Sequence, residues 1–320
     1  PFLLSNGAFA ADPQTFMFYP INLLYFFINT HLVTSFSVIF HLILLGVSMY
    51  FFMRVLKVSR FSAFVSAIII TFSGKLMSSL FVSGHTTFLN FAWTPLIFAL
   101  FELAIQKKNI HYSILAGIAM AFQLMGLHSQ IFIYTLFCFF LYFIFRLFTA
   151  KHDDKRKARF KTSIYFLVLI ISFILVYSVQ LFSTFELYTL TERQGGTPWE
   201  FASSYSLPPK QLISFIFPHI FGTPVEHTYW GAENFWELTG YIGVIALLLS
   251  FFALTLKRNK FVYFFAGLAI FSILFSLGKY FPLYYFFYKF IPLINMFRIP
   301  SRMLFMYSFS IAVLSGMGIN

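Results

Sequence analysis

Two arginines flank a proline in the stretch NMFRIPSRM, residues 295–303, at the junction of two apolar segments. Pro300 favours an extended conformation at Ile299, which predicts that Arg302 opens the last helix and that Arg298 precedes it. Both side chains can then face one outer pocket, where an arginine fork binds phosphate bidentately. The alternative for either arginine is snorkelling towards lipid headgroups.

Lys75, in TFSGKLMSS, is a further cation of interest because it lies well inside an apolar run. A cation within a membrane is costly enough that a functional role is the default hypothesis, although an outer-half position makes snorkelling an equal alternative. We predict that Lys75 is a second contact to the same phosphate.

Two histidines are candidates for metal binding, phosphate contact or proton relay. His85, in SGHTTFLNFAWTPL, and His128, in GLHSQIFIY, are predicted at the outer ends of helices in neighbouring short turns. The structural alternative for each is an interfacial histidine that is hydrogen-bonded to the backbone. His31 and His41 lack a comparable context, and we predict structural roles for them.

Three carboxylates in the predicted external segments are of functional interest. Asp12, in FAADPQTF, is either a base or the start of a turn before Pro13. Glu192 and Glu237 are the external acids that lie nearest to apolar surroundings. Glu237, in NFWELTGYIGV, is predicted to open a helix, where the helix dipole stabilises an acid, so helix capping is a competing role.

Membrane helices are the elements that must position these residues. Hydrophobic residues make up 59% of the 320 residues and charged residues 10%, which the surface of a soluble globule of this size cannot accommodate. Apolar runs of about 17–25 residues are long enough to cross hydrocarbon as helices. The predicted fold class is therefore all-α, a polytopic transmembrane helical bundle of about nine spans. The predicted spans are 33–55, 61–80, 88–105, 111–127, 129–149, 162–184, 237–256, 261–278 and 303–320.

Basic residues predict the orientation of the chain in the membrane. Fifteen of the 22 lysines and arginines fall in the connections 54–60, 106–110, 146–161 and 257–260, which are therefore predicted to be cytoplasmic. Topology thus explains the net charge of +12, and no nucleic-acid partner is needed to account for it. Most of the acids fall in the other segments, so any chemistry is predicted on the extracytoplasmic face.

We predict a single transmembrane domain over residues 1–320, and we interpret the chain as a fragment truncated at both ends. Residues 1–32 are predicted as an external segment whose amphipathic run FYPINLLYFF lies in the interface. Residues 185–236 form a long external loop, and a loop of that length is more often functional than idle. Residues 279–301 are predicted as a second interfacial segment.

The sequence argues against some kinds of chemistry. The one cysteine, Cys138, lies in an apolar run, so neither a disulfide framework nor a thiolate metal site is available. The chain has no Walker loop, GxSxG elbow, HExxH motif or dinucleotide fingerprint, which argues against cytosolic nucleotide chemistry.

Several stretches together resemble the bacterial YfhO-like membrane proteins over most of the chain. They are ADPQT with FMFYPINLLYFF, GHTTFLNFAWTPL, GLHSQIFIY, ELTGYIGVIALLL and MFRIPSRMLF. That family looks like a branch of the GT-C membrane glycosyltransferases. The resemblance implies a multi-pass protein of the bacterial cytoplasmic membrane with an extracytoplasmic active site. It also implies transfer of a sugar from a polyprenyl-phosphate carrier to a cell-wall polymer or glycolipid, with an external acid, often in the first loop, as base.

The residues fit this expectation in three groups. Positive groups at the membrane edge would hold the donor phosphate and stabilise the leaving group; these are Arg298, Arg302 and Lys75. Carboxylates and imidazoles would take the proton of the acceptor hydroxyl; the candidates are Asp12, Glu192, His85 and His128. Glu237 is assigned as a contact to the acceptor or the sugar. Four aromatic side chains are assigned to stack on sugar faces, with the alternative that they settle at the membrane interface without a ligand: Trp199, Tyr205, Trp230 and Trp236. Membrane lipids are further partners, and a requirement for a divalent metal stays open.

Two other functions compete with glycosyl transfer. A transporter or lipid flippase usually has ionisable groups near the bilayer midplane, broken helices and inverted repeats. Here the charges cluster at one rim and no repeat is visible, which disfavours transport. A non-catalytic envelope assembly protein is the third possibility, and it predicts that the arginines and the external acids scatter instead of converging.

Overall fold

The computed structural model describes residues 12, 15–82, 91–126, 128–150, 154–189 and 195–320. All regular secondary structure in this part of the chain is helical, which confirms the predicted all-α class. The α-helices are α1 (Thr30–Val55), α2 (Arg60–Thr71), α3 (Gly74–Met77), α4 (Trp93–Lys107), α5 (His111–Gly126), α6 (Ser129–Thr149), α7 (Lys155–Thr189), α8 (Trp199–Ala202), α9 (Phe235–Leu238), α10 (Val244–Leu256), α11 (Lys260–Ser276), α12 (Pro282–Phe290) and α13 (Leu304–Ile319).

Five helical runs among the described residues are long and apolar enough to cross a membrane. They are Thr30–Val55, Arg60–Val82, Ser129–Thr149, Lys155–Leu187 and Pro300–Ile319. The apolar helices α10 and α11 are shorter, at 13 and 17 residues. Each of the predicted spans contains a helix, but the count of about nine spans stays a prediction.

The chain divides into two compact units. The first unit consists of the described residues of 1–57 and 89–191, and the second unit of those of 58–88 and 192–320. The single transmembrane domain predicted over residues 1–320 requires these two units to associate, and this association stays a prediction.

Stacked phenylalanines form the core of the first unit. Phe98, Phe101 and Phe139 are fully buried, and the ring centroids of Phe98 and Phe139 are 5.3 Å apart in an edge-to-face arrangement. The rings of Phe143 and Phe166 stack with their centroids 4.0 Å apart. Offset and edge-to-face contacts of this kind stabilise aromatic pairs beyond the area they bury, so the high phenylalanine content of the sequence is used to pack helices α4, α6 and α7.

Helix α13 is the centre of the second unit, because every residue from Leu304 to Met317 is buried. Small hydroxyl side chains hold it against α10: the Ser315 hydroxyl donates to the carbonyl oxygen of Ala246 at 2.8 Å, and the Ser250 and Ser315 hydroxyl oxygens are 3.1 Å apart. Small residues at a helix contact let two backbones approach closely, which is the usual way that membrane helices pack.

The predicted span 61–80 is interrupted. Helix α2 ends at Thr71, helix α3 begins at Gly74, and a π-helical turn follows over Ser78–Val82. The Gly74 amide donates to the carbonyl oxygen of Tyr241 at 2.8 Å, and a Cβ atom at Gly74 would lie 2.6 Å from that oxygen. Only glycine allows this approach, so the break is built into the sequence at the residue before Lys75.

Two local predictions differ from the structure, one wholly and one in part. Ile299 is not extended: its φ of 68° and ψ of 70° place it in the left-handed region, although it is β-branched and precedes proline. Burial of Ile299 and the packing of the following turn, Pro300–Met303, override the local preference. Glu237 lies in the first turn of the four-residue helix α9, as predicted for an acid at a helix start, but the long apolar helix α10 begins at Val244 and not at residue 237.

Segments that were predicted as connections contain helix. Helix α7 covers Lys155–Thr189, so the second part of the basic connection 146–161 and the start of the loop 185–236 are helical. Helix α12, which begins at Pro282, lies within the predicted segment 279–301, and a 3₁₀ helix occupies Pro20–Phe26 within the predicted segment 1–32. The interfacial positions of both segments stay predictions.

Two helical glycines provide a test of the packing. A Cβ atom at Gly117 of α5 would lie 2.7 Å from Ser172 Cβ and 2.9 Å from the Phe173 backbone nitrogen, whereas a Cβ atom at Gly267 of α11 meets no atom within 4 Å. We expect Gly117→Ala to destabilise the protein by about 1–3 kcal/mol through overpacking. Gly267→Ala should stabilise it by roughly 0.5–1 kcal/mol through helix propensity. Unfolding followed by circular dichroism in detergent measures both changes, and equal effects of the two substitutions would contradict the close contact of α5 with α7.

Candidate functional site

A buried cluster of charged side chains in the second unit joins three of the residues that the sequence singled out. The Lys75 ammonium lies 3.3 Å from Glu237 Oε2, and the Arg302 Nη2 and Nε atoms each lie 2.9 Å from Glu237 Oε1. Lys75 and Glu237 are 0% and 1% exposed, and Arg302 is 7% exposed. We call these three residues the Glu237 cluster.

The hydrogen bonds of Lys75 show how tightly this cluster is built. Lys75 Nζ donates to the carbonyl oxygens of Trp236 at 3.0 Å and Glu237 at 2.8 Å, in addition to the Glu237 carboxylate. An ammonium group has three donors, so these acceptors satisfy it completely. Lys75 Nζ also lies 5.3 Å from the centroid of the Phe305 ring. Lys75 is therefore held inside the protein, and it does not snorkel.

Three short structural features bring the cluster together. Lys75 follows the break between α2 and α3, Glu237 lies in α9, and Arg302 lies in the 3₁₀ turn Pro300–Met303 that leads into α13. Proline at the first position of that turn has no N–H group to satisfy and has the φ that the turn needs. All three charges thus lie where a helix begins or is interrupted.

The cluster keeps Glu237 ionised. Burial alone would raise the pKa of Glu237, but the adjacent Lys75 and Arg302 more than offset burial, so its pKa lies below the ordinary value of 4.5. A carboxylate with a lowered pKa that accepts hydrogen bonds from two cations is a poor proton acceptor. Glu237 is therefore suited to positioning the cations and not to acting as the base.

Arg298 is exposed, in contrast to Arg302. Its guanidinium carbon lies 5.3 Å from the centroid of the Phe201 ring, a cation–π contact. Of the three cations predicted for a donor phosphate, the structure brings Lys75 and Arg302 together on one carboxylate and leaves Arg298 at the surface.

The predicted sugar contacts also belong to the second unit but do not form one group. Trp199 lines a cavity with Tyr280 and Tyr285. Trp236 is partly buried and contributes its carbonyl oxygen to Lys75, while Tyr205 lies in a turn with a φ of 52°.

The predicted bases have different structural contexts. Asp12, in the first unit, starts a turn: its carbonyl oxygen accepts from the Thr15 amide at 3.1 Å, as the structural alternative proposed. His128, in the same unit, caps α6 by accepting from the Gln130 amide at 3.4 Å. His85 and Glu192 lie outside the described residues. The identity of the base therefore stays a prediction.

We did not predict a second buried ion pair, which lies in the first unit. Arg146 Nε is 2.8 Å from Glu102 Oε2, and the same oxygen accepts from the Tyr142 hydroxyl at 2.7 Å. Gln106 donates to the other carboxylate oxygen at 2.9 Å. The available signal was an acid within the apolar helix of residues 93–107, because ionisable residues inside membrane segments are usually paired.

His41 also has polar contacts that we did not anticipate. The Tyr19 hydroxyl lies 2.6 Å from His41 Nε2, and His41 Nδ1 lies 2.6 Å from the Ser37 carbonyl oxygen. Trp93 Nε1 donates to the Tyr19 hydroxyl at 3.1 Å. These bonds agree with the structural role predicted for His41, because they satisfy a buried imidazole.

The structure adds no metal site to the part of the chain that it describes: no three His, Cys, Asp or Glu residues lie close enough there to hold an ion. In comparisons with known proteins, no family model, curated protein or solved structure matches the chain. The function must therefore be inferred from the residues and their geometry.

Substitutions in the Glu237 cluster should lower the free energy of unfolding by different amounts. We expect Glu237→Gln to destabilise the protein by about 3–5 kcal/mol because it removes the carboxylate from two buried cations. Lys75→Met should cost clearly less, because Glu237 keeps its contact with Arg302. Unfolding in detergent measures both, with the exposed Glu233→Gln as control. If Lys75→Met cost as much as Glu237→Gln, Glu237 would not be the centre of the cluster.

The lowered pKa of Glu237 also predicts a pH dependence. A carboxyl group whose folded pKa is depressed stabilises the folded state fully above its ordinary value of 4.5, and that stability is lost as the pH falls through the folded pKa. We expect the melting temperature of the native protein to fall more steeply on acidification below pH 4.5 than that of Glu237→Gln. Parallel pH profiles for the two proteins would show that Glu237 does not contribute in this way.

Proposed function

We propose that the protein is a YfhO-like membrane glycosyltransferase of the GT-C type, with about nine spans and an extracytoplasmic active face. It transfers a sugar from polyprenyl phosphate to a cell-wall polymer or glycolipid. One observation supports this most strongly: Lys75 and Arg302, two cations predicted for the donor phosphate, converge on Glu237 at the turn that follows exposed Arg298. Convergence is what a site requires, and an assembly protein would not need it.

The proposed step is a substitution at the anomeric carbon of the donor sugar. The oxygen of an acceptor hydroxyl forms a bond to that carbon, and the bond from the carbon to the phosphate oxygen breaks. The hydroxyl proton passes to a base, and polyprenyl phosphate leaves with the electron pair and the negative charge. Fixed positive groups beside the leaving oxygen stabilise that developing charge.

The burial of the cations suggests distinct roles for them. Arg298 is exposed and would contact the phosphate directly, because a guanidinium matches phosphate geometry. Lys75 and Arg302 are buried against Glu237 and would act as positioning residues that fix the turn Pro300–Met303. Asp12, His128, Glu192 and His85 remain the candidate bases.

A transporter or lipid flippase is the second candidate, and one observation favours it. The helical run Arg60–Val82 is broken beside a buried charge cluster, and broken helices with ionisable residues are common at transporter sites. Lys75, however, lies nearer to the Val82 end of this run, as expected for a site at one rim.

Transfer of labelled sugar tests the proposal. The full-length protein is reconstituted in proteoliposomes with a polyprenyl-phosphate sugar and with glycolipid or cell-wall polymer acceptors. We expect transfer by the native protein and a loss of about tenfold or more in Arg298→Gln, because a charged hydrogen bond to phosphate contributes roughly 1.5–3 kcal/mol.

The control is Arg258→Gln, since Arg258 is also exposed in the second unit but belongs to a predicted cytoplasmic connection. Full activity of Arg298→Gln would make Arg298 a membrane anchor. Movement of a fluorescent lipid-linked sugar across the bilayer, without transfer to any acceptor, would favour the flippase instead.

A further inference from the structure

An open cavity lies at the start of α12 in the second unit. Its volume is about 360 Å³, and it is lined by Trp199, Gly278, Lys279, Tyr280, Phe281, Pro282 and Tyr285. This volume lies within the range of about 300–1,000 Å³ that is usual for small-molecule sites. We call it the Trp199 cavity.

The Trp199 cavity is built from two segments that are held together firmly. The Thr197 amide donates to the Asn295 carbonyl oxygen at 2.9 Å, and the Tyr288 hydroxyl donates to the Thr197 carbonyl oxygen at 2.7 Å. The Trp199 ring packs edge-on against Tyr285, with centroids 5.1 Å apart. Trp199 is thus fixed against α12 before any ligand binds, which lowers the entropic cost of binding.

The lining combines aromatic rings with polar groups. Tyr280 and Tyr285 are 47% and 48% exposed, and each carries a hydroxyl group at the end of an aromatic ring. Lys279 is exposed, and its ammonium lies 5.5 Å from the centroid of the Tyr280 ring. Aromatic faces suit the C–H face of a pyranose ring, hydroxyl groups suit its rim, and an ammonium group suits an anion attached to it.

The floor of the cavity is in contact with the turn that carries Arg302. Gly278 has a φ of 54°, and a Cβ atom there would lie 2.7 Å from Pro300 Cγ, so the two turns pack directly against each other. The Lys279 amide donates to the Ser206 hydroxyl at 3.0 Å, which also fixes this turn. The Trp199 cavity therefore includes a residue, Gly278, that packs against the turn Pro300–Met303.

We propose that the Trp199 cavity binds a hexopyranose ring that carries an anionic group, with the ring against Trp199 and Tyr285 and the anion at Lys279. This inference rests on the proposed function in one respect, that such a ring would belong to the donor or the acceptor. A flat aromatic belt at the membrane interface would also expose tyrosines. It would not, however, explain a concave site that is lined on one side by a tryptophan from another segment.

Direct binding tests the proposal without any transfer reaction. The full-length protein in nanodiscs is titrated with methyl glucoside and with glucose 1-phosphate, and saturation-transfer NMR reports contact and affinity. We expect both to bind, glucose 1-phosphate about tenfold more tightly, with the strongest saturation on the C–H protons of one ring face.

Matched variants locate the site. Trp199→Ala should weaken both ligands about tenfold, while Tyr263→Ala, at an exposed aromatic residue of α11 outside the cavity, should leave binding unchanged. Lys279→Gln should remove the preference for glucose 1-phosphate, and Lys289→Gln, near the other end of α12, should not.

Three results would overturn the inference: no saccharide binding, equal loss of affinity in Trp199→Ala and Tyr263→Ala, or displacement of the saccharides by phospholipid alone. The source of the sugar follows from competition. A polyprenyl-phosphate sugar in the nanodisc displaces glucose 1-phosphate if the cavity holds the donor, and both bind together if it holds the acceptor. If saccharides bind but no transfer occurs in proteoliposomes, the proposed transfer reaction is rejected and the inferred binding site stands.

Discussion

The carboxylate of Glu237 connects the parts of the second unit on which its candidate site depends. It contacts one cation just after a helix break and another at the turn that begins the central helix α13. Charges buried at this depth are stable only when they are paired and fully hydrogen-bonded. The break at Gly74, the short helix α9 and the turn at Pro300 therefore each position one charged residue so that this electrostatic requirement is met.

That requirement explains why irregular backbone is concentrated in the same region. Ile299 adopts a left-handed conformation, and the residues between α9 and α10 leave the helical path, with Gly243 at a φ of 100°. Strained or interrupted backbone persists only where the surrounding contacts hold it, and such places are often functional. In the second unit those contacts are the Glu237 cluster and the packing of Gly278 against Pro300.

The sequence was sufficient for features that depend on composition and local pattern. Long apolar runs identified the helices, and the sequence predicted that a lysine and an arginine in apolar surroundings contact the donor phosphate. It could not show that both contact Glu237, because an internal carboxylate and a ligand phosphate attract the same side chains. The start of α10 was missed because glycines such as Gly240 and Gly243, which interrupt the apolar run, also occur within membrane helices, and the contact of Tyr241 with Gly74 shows that the helix is broken here.

The separation of Lys75 from its acceptors has a consequence for biosynthesis. The carbonyl and carboxylate oxygens that the structure places around its ammonium belong to residues 161 and 162 positions later in the chain. At about 5–20 residues per second, the ribosome needs roughly 8–32 s to reach them. The segment that contains Lys75 therefore leaves the ribosome well before these acceptors exist, so the native hydrogen bonds of its ammonium form only after Glu237 has been synthesised.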